Sequence, residues 1–401
     1  MFLYYKKMIY EQKDSTETSF INNKIYEKPG LANKKNQSDP TLATNKKSSN
    51  IQESIKNINE KEIKPKKKIE DTDILLNIQH VNEIFKKNNP KFLENFEFLE
   101  SIKAGSAGAV LRAKLKNSKD KNVACKVIPV SKEEKNIHKR HKEVFIHKTL
   151  HHKNIPELHG FYPVGENYSC MVMELNKYGD IDNFKKNVIK RSCLSESLIS
   201  YFSGNILEAL LYLAKNKIIH MDIKQQNIVI DDFLNVKITD YSVSLKYNEK
   251  EEFIELPMVG TCYYMSPEVL GRRRILVNEA SKIDIYSFGV LLYRLAFNDY
   301  PYELNDVDSS DYKGIYENIT KKNLEFPKDS GHSEMFKNFL RKCLEKDIKK
   351  RYNIYQAMND PWMKGFQFIL NEKENLYHAG KFVVELMVDN IKEFNDYVKA
   401  G

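Results

Sequence analysis

His220-Met221-Asp222-Ile223-Lys224-Gln225-Gln226-Asn227 decides the reading of this 401-residue chain. An apolar lead-in, Ile218-Ile219, runs into a histidine, an acid, a lysine and an asparagine, and Ile228-Val229-Ile230 then has the unbroken apolar character of a buried strand. Such polar residues in a loop are either turn chemistry or reaction chemistry. The segments on either side choose between the two.

The chain is 41% hydrophobic and carries a formal charge of +9, enough for one large or two ordinary domains with a sizeable core. Residues 1–72 differ from the rest. They hold 15 Lys against 10 Asp plus Glu, in runs such as Lys46-Lys47-Ser48-Ser49-Asn50, and lack helical or alternating apolar periodicity. A disordered Lys/Asn-rich tail is expected there. Within it, Lys64-Pro65-Lys66-Lys67-Lys68 reads as a solvated charge run, with a nuclear-import signal as the alternative. A nucleic-acid partner would rest on charge alone and is not expected.

Met1-Phe2-Leu3-Tyr4-Tyr5 is too short an apolar start for a signal peptide, Phe2 excludes N-myristoylation, and no later run has the length of a membrane span. The expectation is an intracellular, cytoplasmic protein, nuclear if the basic cluster is an import signal. The five cysteines are widely spaced without zinc-site spacing, which fits a reducing compartment.

Apolar residues at Ile74, Leu75, Ile78, Val81, Ile84 and Phe85 predict an amphipathic helix within 73–91, with Asp71 or Asp73 as N-cap and Pro90 beyond its end. Phe96 to Ala104 and Ala109 to Leu115 read as strands joined by Gly105-Ser106-Ala107-Gly108. Val123-Ala124-Cys125-Lys126 places a lysine on an apolar strand, where it must pair or point outward. Glu143, nine residues before His152-Lys153-Asn154-Ile155, is the partner candidate. Cys170 to Glu174 is a buried strand leaving into Leu175-Asn176, with Tyr178-Gly179-Asp180 after it, and Leu198 to Lys215 is a long helix. Beyond the central loop come Val236-Lys237-Ile238-Thr239-Asp240-Tyr241-Ser242, Gly260-Thr261-Cys262-Tyr263-Tyr264-Met265-Ser266-Pro267-Glu268, Asp284-Ile285-Tyr286-Ser287-Phe288-Gly289 and Arg351.

In this order, over residues 92–365, these motifs resemble those of the eukaryotic protein kinase superfamily, Ser/Thr type. The resemblance implies an α+β, bilobal protein kinase fold with a small β-rich N-lobe and a larger helical C-lobe. It also implies ATP and Mg2+ as cofactors and a protein substrate bearing a Ser or Thr acceptor. Asp222 would orient the hydroxyl, Lys224 would stabilise the transferring phosphoryl, Thr261 would bridge the two, and Lys126, paired with Glu143, would neutralise the phosphates. Asn227 and Asp240 would hold the metal ions. ATP would lie against Gly105, Gly108, Val110, Ala124, Met173, Glu174, Asn176 and Val229. Asp180 would sit near the ribose or a basic residue of the substrate, with a simple helix N-cap as the alternative. Glu268 would pair with Arg351, and Asp284 would brace the catalytic loop. Arg351 to Trp362 would form the domain's last helix. Residues 366–401, with Phe382, Leu386 and Ile391 at helical spacing, would add a C-terminal helix. Oligomeric state stays open.

Several residues depart from the pattern. Lys103 replaces the first glycine of the glycine-rich loop and Ala107 its aromatic cap. Tyr241 and Ser242 replace Phe and Gly, and Met221 replaces an arginine. Between Lys246 and Gly260 there is no Ser or Thr, which predicts activity independent of loop phosphorylation. His147, one helical turn after Glu143, would hydrogen-bond the Tyr241 hydroxyl, with two amphipathic side chains reaching water as the alternative. Lys103 and Ser242 motivate the alternative of a pseudokinase that serves as a nucleotide-binding or protein-binding scaffold.

Overall fold

A computed structural model describes residues 75, 77–105, 108–118, 121–130, 141–304, 306–328 and 330–364, all within one compact unit, Asn57–Gly401. The expected tail, the C-terminal helix and the loop tip Ser106-Ala107 lie outside the described residues.

The first helix, α1 (Ile78–Asn88), is capped by Asn77, whose side chain accepts from Gln79 N and His80 N, rather than by Asp71 or Asp73. Pro90 does more than end it. Proline lacks an N–H and so suits a first helical position, and it opens α2 (Pro90–Asn95). Five antiparallel strands follow: β1 (Phe96–Gly105), β2 (Gly108–Leu115), β3 (Asn122–Pro129), β4 (Leu158–Val164) and β5 (Tyr168–Glu174), in the order β1-β2-β3-β5-β4. A bulge at Ile102 interrupts the β1–β2 register between Ser101 and Lys103.

Alternation along β3 gives the sheet two faces. Cys125 and Val127 pack with Val81, Phe85, Phe92, Phe96 and Phe98 in one cluster, while Ala124 packs on the other face with Val144, Met171 and Met173. Phe85 and Phe92 pack tilted with centroids 4.7 Å apart, and Phe92 stacks on Phe96 at 4.5 Å, so α1 and α2 belong to the small lobe's core. The short helix α3 (Lys142–His147) carries Glu143 toward the opposite face.

The large lobe is built on α5 (Glu196–Lys215), capped by Ser195, and α7 (Ser281–Phe297). Among the described helices α5 alone is long and apolar enough to cross a membrane, and most of it is buried inside the protein. Between α4 (Ile181–Phe184) and α5 the chain makes one π-turn. The rest is assembled from β6 (Ile218–Ile219), β7 (Ile228–Ile230), β8 (Val236–Ile238), β9 (Leu245–Lys246), β10 (Phe253–Ile254), α6 (Pro267–Leu270), β11 (Ile275–Leu276), α8 (Tyr312–Lys321) and α9 (Glu334–Cys343). The segment from Arg351 to Trp362 is two short pieces rather than one helix. α10 (Ile354–Met358) ends, Asp360 caps Trp362 N, and Pro361 starts a new turn because it cannot donate within a continuing helix.

Candidate active site

Two glycines fix how the loops approach one another. Gly108 has φ +123°, and a Cβ there would lie 2.2 Å from Val127 O; Gly260 has φ +103°, and a Cβ would lie 2.3 Å from Met221 O. Gly108 thus lets the glycine-rich hairpin close on β3. Gly260 lets the segment ending at Thr261 press on the catalytic loop.

That loop is held from below. Asp284 on α7, itself buried, accepts from His220 N (2.7 Å) and Met221 N (3.0 Å). Burial raises its pKa, and the His220 contacts oppose the rise. Ser244 Oγ donates to His220 O at 3.1 Å. The strain of Met221, at φ +69°, is sustained by these anchors.

Asp222 is the hub. Its Oδ1 accepts from Thr261 N (2.8 Å) and Thr261 Oγ1 (2.7 Å). Its Oδ2 faces Asn227 Nδ2 at 2.9 Å and Lys224 Nζ at 2.7 Å. Lys224 also donates to Thr261 Oγ1 at 2.6 Å, so the threonine joins acid and lysine. A carboxylate fixed on both oxygens keeps a single orientation beside open solvent space.

Across the cleft, Lys126 Nζ pairs with Glu143 Oε1 at 2.6 Å and with Asp240 Oδ1 at 3.0 Å. Burial works to lower the lysine's pKa, but Glu143 and Asp240 overcome it and keep the ammonium charged. Burial pushes Asp240 up, and Lys126 outweighs that and holds the carboxyl well below the usual range. Asp240 sits at φ +68°, its side chain 27% exposed to the cleft.

The cleft, about 460 Å³, is lined by Gly105, Gly108, Val110, Ala124, Lys126, Met173, Glu174, Asn176 and Asp180 from one end, and by Asp222, Lys224, Asn227, Val229, Asp240 and Thr261 from the other. Every residue singled out from the sequence for ATP, metal or transfer chemistry lines it except Glu143, which touches it through Lys126. A larger hollow of about 890 Å³ lies against α3 and β4, lined by Val144, Phe161 and Pro163 among others, and gathers none of the motif residues. Asp240 and Asn227 offer two oxygen ligands, and the described residues hold no group of three or more His, Cys, Asp or Glu placed to bind a metal ion together. That donor set suits Mg2+, which takes its remaining ligands from phosphates and water, and does not suit zinc.

One feature differs from the sequence reading, and for Asp180 one of its two alternatives is realised. The His147 and Tyr241 rings lie 5.1 Å apart, but they do not hydrogen-bond to each other. Tyr241 Oη donates to Ile238 O at 2.9 Å, and His147 Nε2 meets Pro156 O at 2.7 Å, so each polar tip finds a nearer backbone partner. Asp180 is an N-cap, accepting from Asn183 N at 2.9 Å, and it also pairs with Lys103. Lys103 was a mere departure in the sequence; in space it reaches across the cleft. The bulge before it, which re-aims a side chain, leaves no mark in composition or periodicity.

The protein kinase domain model matches residues 96–363. The chain is 28% identical over 299 residues to the cell division control protein 7 of Schizosaccharomyces pombe, covering 74% of this chain and 25% of that protein. It is 30% identical over 235 residues to the cell cycle serine/threonine-protein kinase CDC5/MSD2 of Saccharomyces cerevisiae, covering 58% and 32%. The chain spans less than a third of the length of either relative. With the domain match covering most of the described residues, and the Lys126–Glu143, Asp222 and Asp240 arrangement inside it, the chain belongs to the protein kinase family.

Proposed function

We propose that this chain is a protein serine/threonine kinase that moves the γ-phosphoryl group of ATP to Ser or Thr hydroxyls of proteins. The observation that carries it is the Asp222–Lys224–Thr261 network facing the Lys126–Glu143–Asp240 cluster across one cleft. Asp222 takes the hydroxyl proton as the oxygen–phosphorus bond forms and the bond to the β-phosphate oxygen breaks. Lys224 faces the charge on the transferring group, and Lys126 faces the phosphates that remain with ADP. Asp240 and Asn227 would hold Mg2+, which neutralises β- and γ-phosphate charge when bound. Lysine at 224 and threonine at 261 favour Ser/Thr over Tyr acceptors, in line with the Saccharomyces cerevisiae relative being a serine/threonine-protein kinase by name. The catalytic domain spans 92–365, and the N-terminal segment 73–91, through α1, serves as part of its small-lobe core.

The activity needs no phosphate on the segment between Lys246 and Gly260. Backbone pairing supports this reading. β6 pairs with β9, β10 with β11, and Val277 N donates to Glu252 O at 3.1 Å. Residues 247–259 contain no Ser or Thr, and Met221, where many kinases have a phosphate-binding arginine, is buried.

The test is transfer from labelled ATP with Mg2+ to a generic protein acceptor, beside Asp222→Asn. Label on Ser and Thr that vanishes in the variant is expected, and phosphatase pretreatment should leave the rate unchanged. Nucleotide binding without transfer in either protein would overturn the catalytic reading in favour of a scaffold.

A further inference from the structure

Lys103 lies on β1 immediately after the bulge at Ile102, and its side chain crosses to the other lobe. Its Nζ donates to Gln226 O at 2.8 Å and lies 3.5 Å from Asp180 Oδ2. Gln226 belongs to the same loop as Asp222, so these two acceptors form a cation-binding notch at the cleft rim beside the reacting centre. Both Asp180 oxygens are engaged: Oδ1 caps Asn183 N and Oδ2 faces Lys103. The neighbouring acid is matched as well. Asp182 accepts from the Gln226 side-chain amide and lies within the fields of Lys185 and Arg294.

A carboxylate and a carbonyl converging on one ammonium are what a basic side chain of an acceptor peptide would seek. Here the chain supplies that side chain itself. We propose that Lys103 is a built-in occupant of this acidic notch, so that acceptor peptides gain nothing from a basic residue beside the acceptor Ser or Thr. The inference deepens, and rests on, the kinase reading above. It makes Lys103 a specificity-determining residue: its charge removes a preference that Asp180 would otherwise confer.

The test uses the full chain and fluorescent peptides with alanine at the acceptor position, carrying either Arg or Leu at each of the three preceding positions. Binding is read by anisotropy in the wild type, in Lys103→Met, which keeps the side-chain stem, in Lys103→Gly, and in each variant combined with Asp180→Asn. The wild type should bind Arg and Leu peptides within two-fold of each other. Both Lys103 variants should bind one of the Arg peptides about ten-fold tighter than its Leu counterpart, and Asp180→Asn should erase that gain. A wild type that already prefers Arg by five-fold or more overturns the proposal. So do Lys103 variants that change nucleotide affinity while leaving the Arg-to-Leu ratio untouched. Serine versions of the same peptides, assayed with labelled ATP, keep the two readings apart: a binding gain without transfer leaves the notch standing and removes the kinase, and transfer without a gain does the reverse.

Discussion

Two buried cation–carboxylate sites in this protein are alike in composition and differ in purpose. Arg351 and Glu268 meet twice, at 3.1 and 3.0 Å, with side chains 0% and 6% exposed. The remaining guanidinium donors reach Glu345 O, Lys282 O and Lys346 O, and its face lies over Tyr286. Every polar direction is satisfied, so this site is closed. Lys126 and Glu143 are as deeply buried, but the third member, Asp240, opens into the cleft. A closed pair stabilises the fold; an open one keeps charge in reserve for a ligand.

The comparison is sharpened first by Lys126→Met. Transfer should fall by roughly a thousand-fold or more, about 4 kcal/mol of transition-state stabilisation. The melting point should move little, because Glu143, whose pKa burial already raises, can protonate and Asp240 can reach water. Equal losses of activity and stability would break the distinction. Arg351→Met is the converse. It strands Glu268 in the core and should destabilise by about 3–5 kcal/mol in denaturant titration, while whatever folds keeps an unaltered affinity for ATP. A cost below about 1 kcal/mol would show that the closed pair is dispensable.

The two sites do not differ in how plainly the sequence announced them. Both were legible because each motif couples a residue type to a fixed neighbourhood: Lys126 on an apolar strand, Asp222 two residues before Lys224, Glu268 after Ser266-Pro267. The long periodic helix α5 was legible for the same reason, and its start was missed by only two residues. What escaped was set by single atoms in space. The β10–β11 ladder is two residues long on each side, too short for a period to register. The His147–Tyr241 bond failed because Ile238 O and Pro156 O lie closer, a competition among backbone acceptors that no side-chain pattern reveals.

Smaller effects come from that ring pair, which lies between the open site and the core. Burial holds the His147 imidazole at about 4. Its unfolded value is near 6.5, so as pH falls from 6.5 to 4 the unfolded chain gains a proton that the folded chain refuses, and stability is lost. The loss is on the order of 3 kcal/mol at pH 4. His147→Gln should therefore show a shallower decline of melting point over that window than the wild type; parallel curves would mean that the imidazole protonates in place. Tyr241→Phe deletes one buried hydrogen bond and should cost about 1 kcal/mol of stability, with transfer rates within two-fold of wild type. A larger drop in rate than in stability would make the hydroxyl part of the open site.

The aromatic seam joining α1 and α2 to the sheet bears on how this protein can be handled. Family resemblance begins at residue 96, yet Val81, Phe85 and Phe92 cover Phe96 and Phe98. A recombinant fragment trimmed to the recognised boundary would leave those rings bare to water, and it should precipitate where one begun before Leu75 stays in solution.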